Sequence, residues 1–320
     1  MTLTPTYRDI LAARQAVYTH LQRTPLHEYG LLSEHLGARV FVKHENHHAI
    51  RVFKVRGGVY LASTLSEAER AAGLYSASTG NHGQSVAYGG RVTGTPVTIA
   101  VPEGANPSKV AAMRSLGAEV VFHGPDFDAA REWIGSEAKK AGARFVGPTD
   151  PELICGVGTY AIEILEDLPD VDTIIVPVGA GSGACGVCLV AKTVNPRIEV
   201  IGVQAEKAPT QQRSWKAGHP VLEPMETRAE GLATRIPFEN TQRIMGHPTF
   251  GLDDFVLVSE EAMENAIRLY LEMIHEVAEH AGAAALAAAI DLRERLAGRK
   301  VVLVLSGGNI SSRDLRRILT

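Results

Sequence analysis

Residues 173–206 read TIIVPVGAGSGACGVCLVAKTVNPRIEVIGVQAE. An apolar run, Thr173 to Val178, has the character of a strand buried on both faces. The glycine-rich turn Gly179-Ala180-Gly181-Ser182-Gly183 follows it and opens into a helical run. A second apolar run, Glu199 to Val203, then reads as the next strand. The same alternation extends in both directions along the chain. RVFVK (39–43), LYSAS (74–78), VTIAV (97–101), EVVF (119–122), DFVLV (254–258) and VVLVLS (301–306) are short β-branched runs, most of them separated by helical segments.

Helix boundaries are written into the intervening stretches. Ser66-Glu67-Ala68-Glu69 has the spacing of a capping box, and Asn106-Pro107 is a strong helix start. The acidic and Ala-rich stretch from Ser259 to Leu296 predicts two helices, the first capped at Ser259. The pattern predicts an α/β fold of two open, twisted, mostly parallel sheets with helices on both faces. The strands group near 74–147 and from Thr173 to Leu305. This implies a small inserted domain at 68–149 and a large domain from 1–67 and 150–320.

At 320 residues the chain exceeds one small core. It is 45% hydrophobic and 21% charged, with a net charge of −4. Nothing there favours nucleic acid or an anionic membrane as partner. MTLTPTYRDILAARQAVY has no apolar signal region and reads as a helix. No run of about eighteen apolar residues occurs to span a membrane. Three cysteines are too few for a disulfide framework, so a reducing cytoplasm is the expected location. Cys185 and Cys188 form a CxxC, which reads as two small residues packing one helix face.

Two chemistries compete in HENHHAIRVFKVRGG, residues 44–58. His44-Glu45-Asn46-His47-His48 satisfies H-E-x-x-H, which chelates zinc only on a helix, where positions i and i+4 meet. The strand-like residues on either side would instead leave His44 and His48 about 13 Å apart. Lys54, between Phe53 and Val55, is the alternative: an amine activated by apolar neighbours.

Three further motifs sit at strand ends. Gly181-Ser182-Gly183-Ala184-Cys185-Gly186 matches G-x-G-x-x-G, with Glu206 placed like the acid of a dinucleotide site. Its backbone N–H groups suit a phosphate, whether of NAD or of something smaller. SASTGNHGQS (76–85) gathers Ser78, Thr79, Asn81 and His82 at a helix start, an arrangement that suits a carboxylate or plain N-capping. LSGGNIS (305–311) puts the Ser306 hydroxyl after an apolar strand, before two glycines that permit a sharp turn.

Taken in order, TPL (24–26), KHEN with FKVRGG (43–58), STGNHGQ (78–84), VPEGANPSKV with LGAEV (101–120), GVGTYAIEI (156–164), VPVGAGSG (176–183), EHAGAAALA (279–287) and LSGGN (305–309) cover nearly the whole chain. In these the chain resembles the pyridoxal-phosphate enzymes of fold type II, which are tryptophan synthase β-like. The resemblance is to the serine/threonine dehydratase (threonine ammonia-lyase) and serine racemase group. It implies that Lys54 holds the cofactor as a Schiff base and that Phe53 packs near its ring. Gly179, Ala180, Gly181, Ser182 and Gly183 would cradle the phosphate, Asn81 would bond the ring hydroxyl, and Ser306 would face the pyridine nitrogen. Ser78, Thr79, Asn81 and His82 would hold the substrate carboxylate, in a cleft between the two domains.

A hydroxyl does not favour protonating the ring nitrogen, so β-elimination suits this site better than transamination. The implied reaction is dehydration and deamination of a β-hydroxy amino acid to a 2-oxo acid and ammonia, with Lys54 removing the α-proton. A homodimer is implied as well.

The chain also departs from the pattern. Ile50-Arg51-Val52 stands where relatives carry Thr-Gly-Ser or Thr-Gly-Ala, so Arg51 either faces solvent or reads a substrate side chain. Thr79 replaces the serine that serves racemases as second acid/base, which ranks an amino-acid racemase below a lyase. Glu206 matches one acid of the relatives' cation site, but Gln212 replaces another, so a divalent cation is possible there and not predicted. An NAD-dependent oxidoreductase would leave Lys54 and LSGGN unexplained. A catalytically silent binding protein of the same fold is the remaining reading.

Overall fold

Every apolar run named above forms a strand in a computed structural model that describes residues 4–320. The strands are β1 (Leu26–Glu28), β2 (Arg39–His44), β3 (Leu74–Ala77), β4 (Val97–Val101), β5 (Glu119–Phe122), β6 (Arg144–Phe145), β7 (Thr173–Pro177), β8 (Glu199–Ala205), β9 (Asp254–Val258) and β10 (Lys300–Leu305). Two of them, β1 and β6, escape sequence reading. They have only three and two residues and sit at sheet edges, too short and too half-exposed for a period to register. The first three residues of the expected N-terminal helix region lie outside the described residues; the helix itself is Tyr7–His20.

The chain divides into two compact units. One comprises the segment ending at Tyr7, Arg23–Phe53 and Gly158–Thr320. Its sheet has the order β1-β2-β10-β7-β8-β9, with only β1 antiparallel to its neighbour. Leu305 pairs with His44 and Leu303 with Ile175, so the segments after β2, β10 and β7 leave from the same carboxyl edge. Ligands of open parallel sheets bind beyond that edge. The helix His280–Asp291 is buried from His280 to Ala289; its small side chains let it lie close to the sheet in the main core.

Ser259 caps the helix Glu260–Ile274 as predicted. The stretch to Leu296 gives a third short helical segment, Arg293–Leu296, where two helices were expected.

The other unit comprises Arg8–Gln22 and Lys54–Val157. Its sheet, β5-β4-β3-β6, is wholly parallel. Ser66 and Glu69 make the reciprocal capping box, and Asn106 caps the helix Pro107–Ser115. The expected insertion, 68–149, falls inside this unit, whose bounds are wider for a packing reason. A Cβ on Gly58 would lie 2.1 Å from the Ser85 carbonyl oxygen, and one on Gly89 2.2 Å from that of Gly58. The helices Val55–Ser63 and Asn81–Thr93 thus touch backbone to backbone. A Cβ on Gly156 would meet the Arg56 carbonyl oxygen at 2.4 Å, which ties the far end in as well.

Candidate active site

In the first unit, three segments meet beyond the carboxyl edge of the sheet. The turn after β7 runs through Gly181, whose φ of 101° excludes ordinary side chains, into the helix Ser182–Val194. No side chain caps that helix, so its first N–H groups are offered by the backbone alone. A Cβ on Gly179 would fall 2.1 Å from the Gly231 carbonyl oxygen, so the loop can approach that neighbour only as glycine. The Ala180 carbonyl accepts from Thr241 Oγ1 at 2.7 Å, which fixes the turn from behind.

The strap 50–53 lies along the exit of β10. Phe53 N–H donates to the Ser306 carbonyl at 3.1 Å and Gly308 N–H to that of Arg51 at 2.9 Å. Asn309 Nδ2 donates to the Ile50 carbonyl at 3.0 Å, and Val52 bridges Gly307. The Phe53 ring stands 3.3 Å from where a Gly183 Cβ would be, edge-on to Tyr160 with ring centroids 6.3 Å apart. Phe53, Ser306 and the glycine loop are therefore brought together. The Ser306 side chain is buried, its Oγ donating weakly to the Ala281 carbonyl at 3.4 Å. Arg51 is exposed, at φ 59°.

In the second unit, Lys54 stands at the N-cap of Val55–Ser63, half-buried. Ser85 Oγ, from the neighbouring helix, donates to its carbonyl. Ser78 Oγ accepts from Gly83 N–H at 2.8 Å and Gly80 N–H at 3.2 Å, so it shapes the loop that opens Asn81–Thr93. Capping and ligand binding were alternatives for this hydroxyl; it accepts from two amides of the loop, while the N-cap position itself is Gly80, which has no side chain. Thr79 is exposed and Asn81 half-buried at the head of the helix. His82 turns inward, its Nε2 3.2 Å from Ser76 Oγ and 3.4 Å from the Val146 carbonyl. Burial first, and the Lys54 charge second, push its pKa down to about 4, so the ring is neutral near pH 7. Of the four residues expected at a carboxylate, Thr79 and Asn81 stay on the open side while Ser78 and His82 hold the loop.

Three contributors had no assigned role in the sequence reading. Tyr160 backs Phe53, and Ser85 holds the Lys54 backbone. Glu279 places Oε1 2.7 Å from a Cβ built on Gly307. The acid at the head of an Ala-rich helix was the one available signal for Glu279.

The H-E-x-x-H stretch is not extended, as its flanks had suggested. β2 ends at His44, and Glu45–His47 is a single 3-10 turn. His48 Nε2 lies 3.3 Å from Glu45 Oε2, while His44 faces Glu276. The protease arrangement is absent. Glu206 is exposed just past β8, and Gln212 spends its Nε2 on the Phe255 carbonyl at 3.1 Å. Cys155, Cys185 and Cys188 are free and buried, in keeping with a packing role; burial pushes the Cys155 thiol up to about 12.

The family described as pyridoxal-phosphate dependent enzymes matches residues 17–307. The chain belongs to this family. L-threonine ammonia-lyase of Thermotoga maritima is 39% identical, over 98% of this chain and 78% of the relative. The catabolic L-threonine dehydratase of Escherichia coli is 35% identical, over 97% and 94%. Among solved structures, threonine deaminase isoform 2 of Solanum lycopersicum superposes with a TM-score of 0.92 at 29% identity, over 99% of this chain and 94% of that one. Maize serine racemase gives 0.93 at 26%, over 99% and 97%.

Membership sets the nicotinamide reading aside and makes pyridoxal phosphate the cofactor. The donors present fit that group. An uncapped helix start behind glycines suits its phosphate, and a buried hydroxyl at a strand exit suits its ring nitrogen. The amine at position 54 suits its aldehyde.

Proposed function

We propose that this enzyme is an ammonia-lyase that dehydrates and deaminates threonine or serine to a 2-oxo acid and ammonia. The observation that carries the reading is the buried hydroxyl of Ser306 beside Phe53 and the glycine loop, where a carboxylate would favour other chemistries. The names of the relatives at 35–39% identity support the substrate.

Pyridoxal phosphate, when bound, supplies an electron sink for the α-carbon. The amine of Lys54 would hold the cofactor and, as a free amine, would take the α-proton of the substrate. The backbone N–H groups of 179–183 would hold the phosphate, and the Ser306 hydroxyl would face the ring nitrogen. Thr79 and Asn81, with the amides of the Ser78 loop, receive the substrate carboxylate, while Arg51 stands beside its side chain. A homodimer in the cytoplasm completes the proposal. Family likeness supports the dimer, and three free, buried thiols suit the compartment.

Purified enzyme incubated with L-threonine and L-serine should form 2-oxobutanoate and pyruvate, measured as hydrazones. Lys54→Ala should lower that rate by at least about a thousandfold, with the melting temperature of the cofactor-loaded variant within a few degrees. Keto acid formation undiminished in Lys54→Ala would reject the lysine assignment. Chiral chromatography in the same experiment detects the racemase alternative, which the exposed Thr79 hydroxyl would serve: D-serine accumulating without keto acid would replace the lyase reading.

A further inference from the structure

His44, His47 and Glu276 form the one group of three metal-competent side chains found among the described residues, their ligand atoms all within 4.8 Å of one another. None of them takes part in the cofactor chemistry above. His44 ends β2, His47 belongs to the 3-10 turn after it, and Glu276 follows the helix Glu260–Ile274. The group is assembled by tertiary structure, because the histidines and the acid are about 230 residues apart in sequence.

The outward polar atoms of His44 and Glu276 are already committed, in the way outer contacts orient metal ligands. The Tyr29 hydroxyl lies 2.9 Å from His44 Nε2, which leaves Nδ1 to face inward. Asn46 Nδ2 donates to Glu276 Oε2 at 2.8 Å, which turns Oε1 toward the two histidines, where it hydrogen-bonds His47 Nε2. The His44 side chain is fully buried, and its Nδ1 has no hydrogen-bond partner. A buried polar atom without a partner costs about 1–3 kcal/mol, so such an atom calls for an occupant. Nδ1 points toward Glu276 Oε1, 3.6 Å away, too far for a hydrogen bond between them. His47 Nε2 lies 2.7 Å from the same oxygen. Two ligands on one zinc stand about 3.3 Å apart in tetrahedral geometry; these two separations fall on either side of that value, and all three ligand atoms lie within 4.8 Å of one another. His47 is one-third exposed, its Nε2 hydrogen-bonded to Glu276 Oε1 and its ring 4.7 Å from the ring of His44, so two of the three groups are already held close together.

We propose that His44 Nδ1, His47 Nε2 and Glu276 Oε1 bind one divalent transition-metal ion of the zinc class, with water as the fourth ligand. Two imidazoles and one carboxylate select such an ion over magnesium or calcium, which prefer all-oxygen shells. The site is separate from Glu206, which follows β8, three strands away in the sheet order. Metal here links the end of β2 to the end of the helix Glu260–Ile274. It braces the start of the strap, where Arg51 N–H donates to the His48 carbonyl at 2.8 Å.

The test is calorimetric titration of chelator-treated, cofactor-loaded enzyme with zinc chloride alone, followed by thermal melting. We expect one equivalent bound and a rise in melting temperature with zinc. His47→Ala and Glu276→Gln should each weaken binding at least about tenfold, whereas Glu206→Gln should leave it unchanged. His47 is exposed, so its truncation tests the site without threatening the fold. No saturable binding, or equal binding in wild type and both site variants, overturns the proposal. So does loss of the zinc through Glu206→Gln.

Discussion

Arg51 holds a backbone conformation that its own side chain resists. At φ 59° it occupies the left-handed region, kept there by hydrogen bonds from its N–H to His48 and from Gly308 to its carbonyl. A side chain in that region costs roughly 1–2 kcal/mol, and glycine none. The family resemblance implies glycine at this point of the motif, the residue that this backbone conformation suits. The guanidinium is exposed and makes no hydrogen bond or ion pair with the described residues. Arg51→Gly should raise the urea unfolding free energy by about 0.5–1 kcal/mol, after the entropy that glycine loses on folding. If Arg51 reads a substrate side chain, the variant also loses any preference for an acidic over a neutral β-hydroxy amino acid. Unchanged kcat/KM ratios would assign the side chain to solvent.

At the scale of elements, the position of Lys54 depends on two helices that touch through glycines. Gly58 and Gly89 let Val55–Ser63 lie against Asn81–Thr93, and Ser85 reaches across to the Lys54 carbonyl. A methyl at Gly58 would meet backbone, which cannot rotate away. Gly58→Ala should therefore cost about 3 kcal/mol or more in stability, at the upper end of overpacking. It should also slow turnover, because separating the helices moves Lys54. A thermal melt within a degree of wild type would contradict this close approach. In the sequence Gly58 reads only as part of FKVRGG, and Gly89 falls in none of the motifs. A strand or helix period says which face is buried, not how near the partner comes.

For the molecule as a whole, stability against acid carries a mark of the His82 environment. Its folded pKa of about 4 lies below the unfolded value of 6.5. Between those values the unfolded chain takes up a proton that the folded one does not, so stability falls as pH drops through this window. Asp150, pushed up to about 6 by burial, contributes with the opposite sign. The informative comparison is thus wild type against His82→Gln. The variant should show a shallower loss of melting temperature from pH 6.5 to pH 4.5, and parallel curves would contradict the neutral, buried state. None of the described helices is long and apolar enough to cross a membrane, in line with the absence of an apolar run in the sequence.

Periodicity and local chemistry determined eight of the ten strands, the capped helices at Ser66, Asn106 and Ser259, and the α/β class. Those signals act over a few residues and survive without partners. The motif order carried the family, and with it the proposed roles of Lys54, Phe53, the 179–183 loop and Ser306. Tertiary structure alone decided what each group faces. Ser78 hydrogen-bonds loop amides, His82 turns toward Val146, and Arg51 takes a turn meant for glycine. His44 meets Glu276 from the far end of the chain, and not His48 four residues on. Such meetings depend on which strand ends share a sheet edge, and strand order is set by long-range packing that no local pattern encodes.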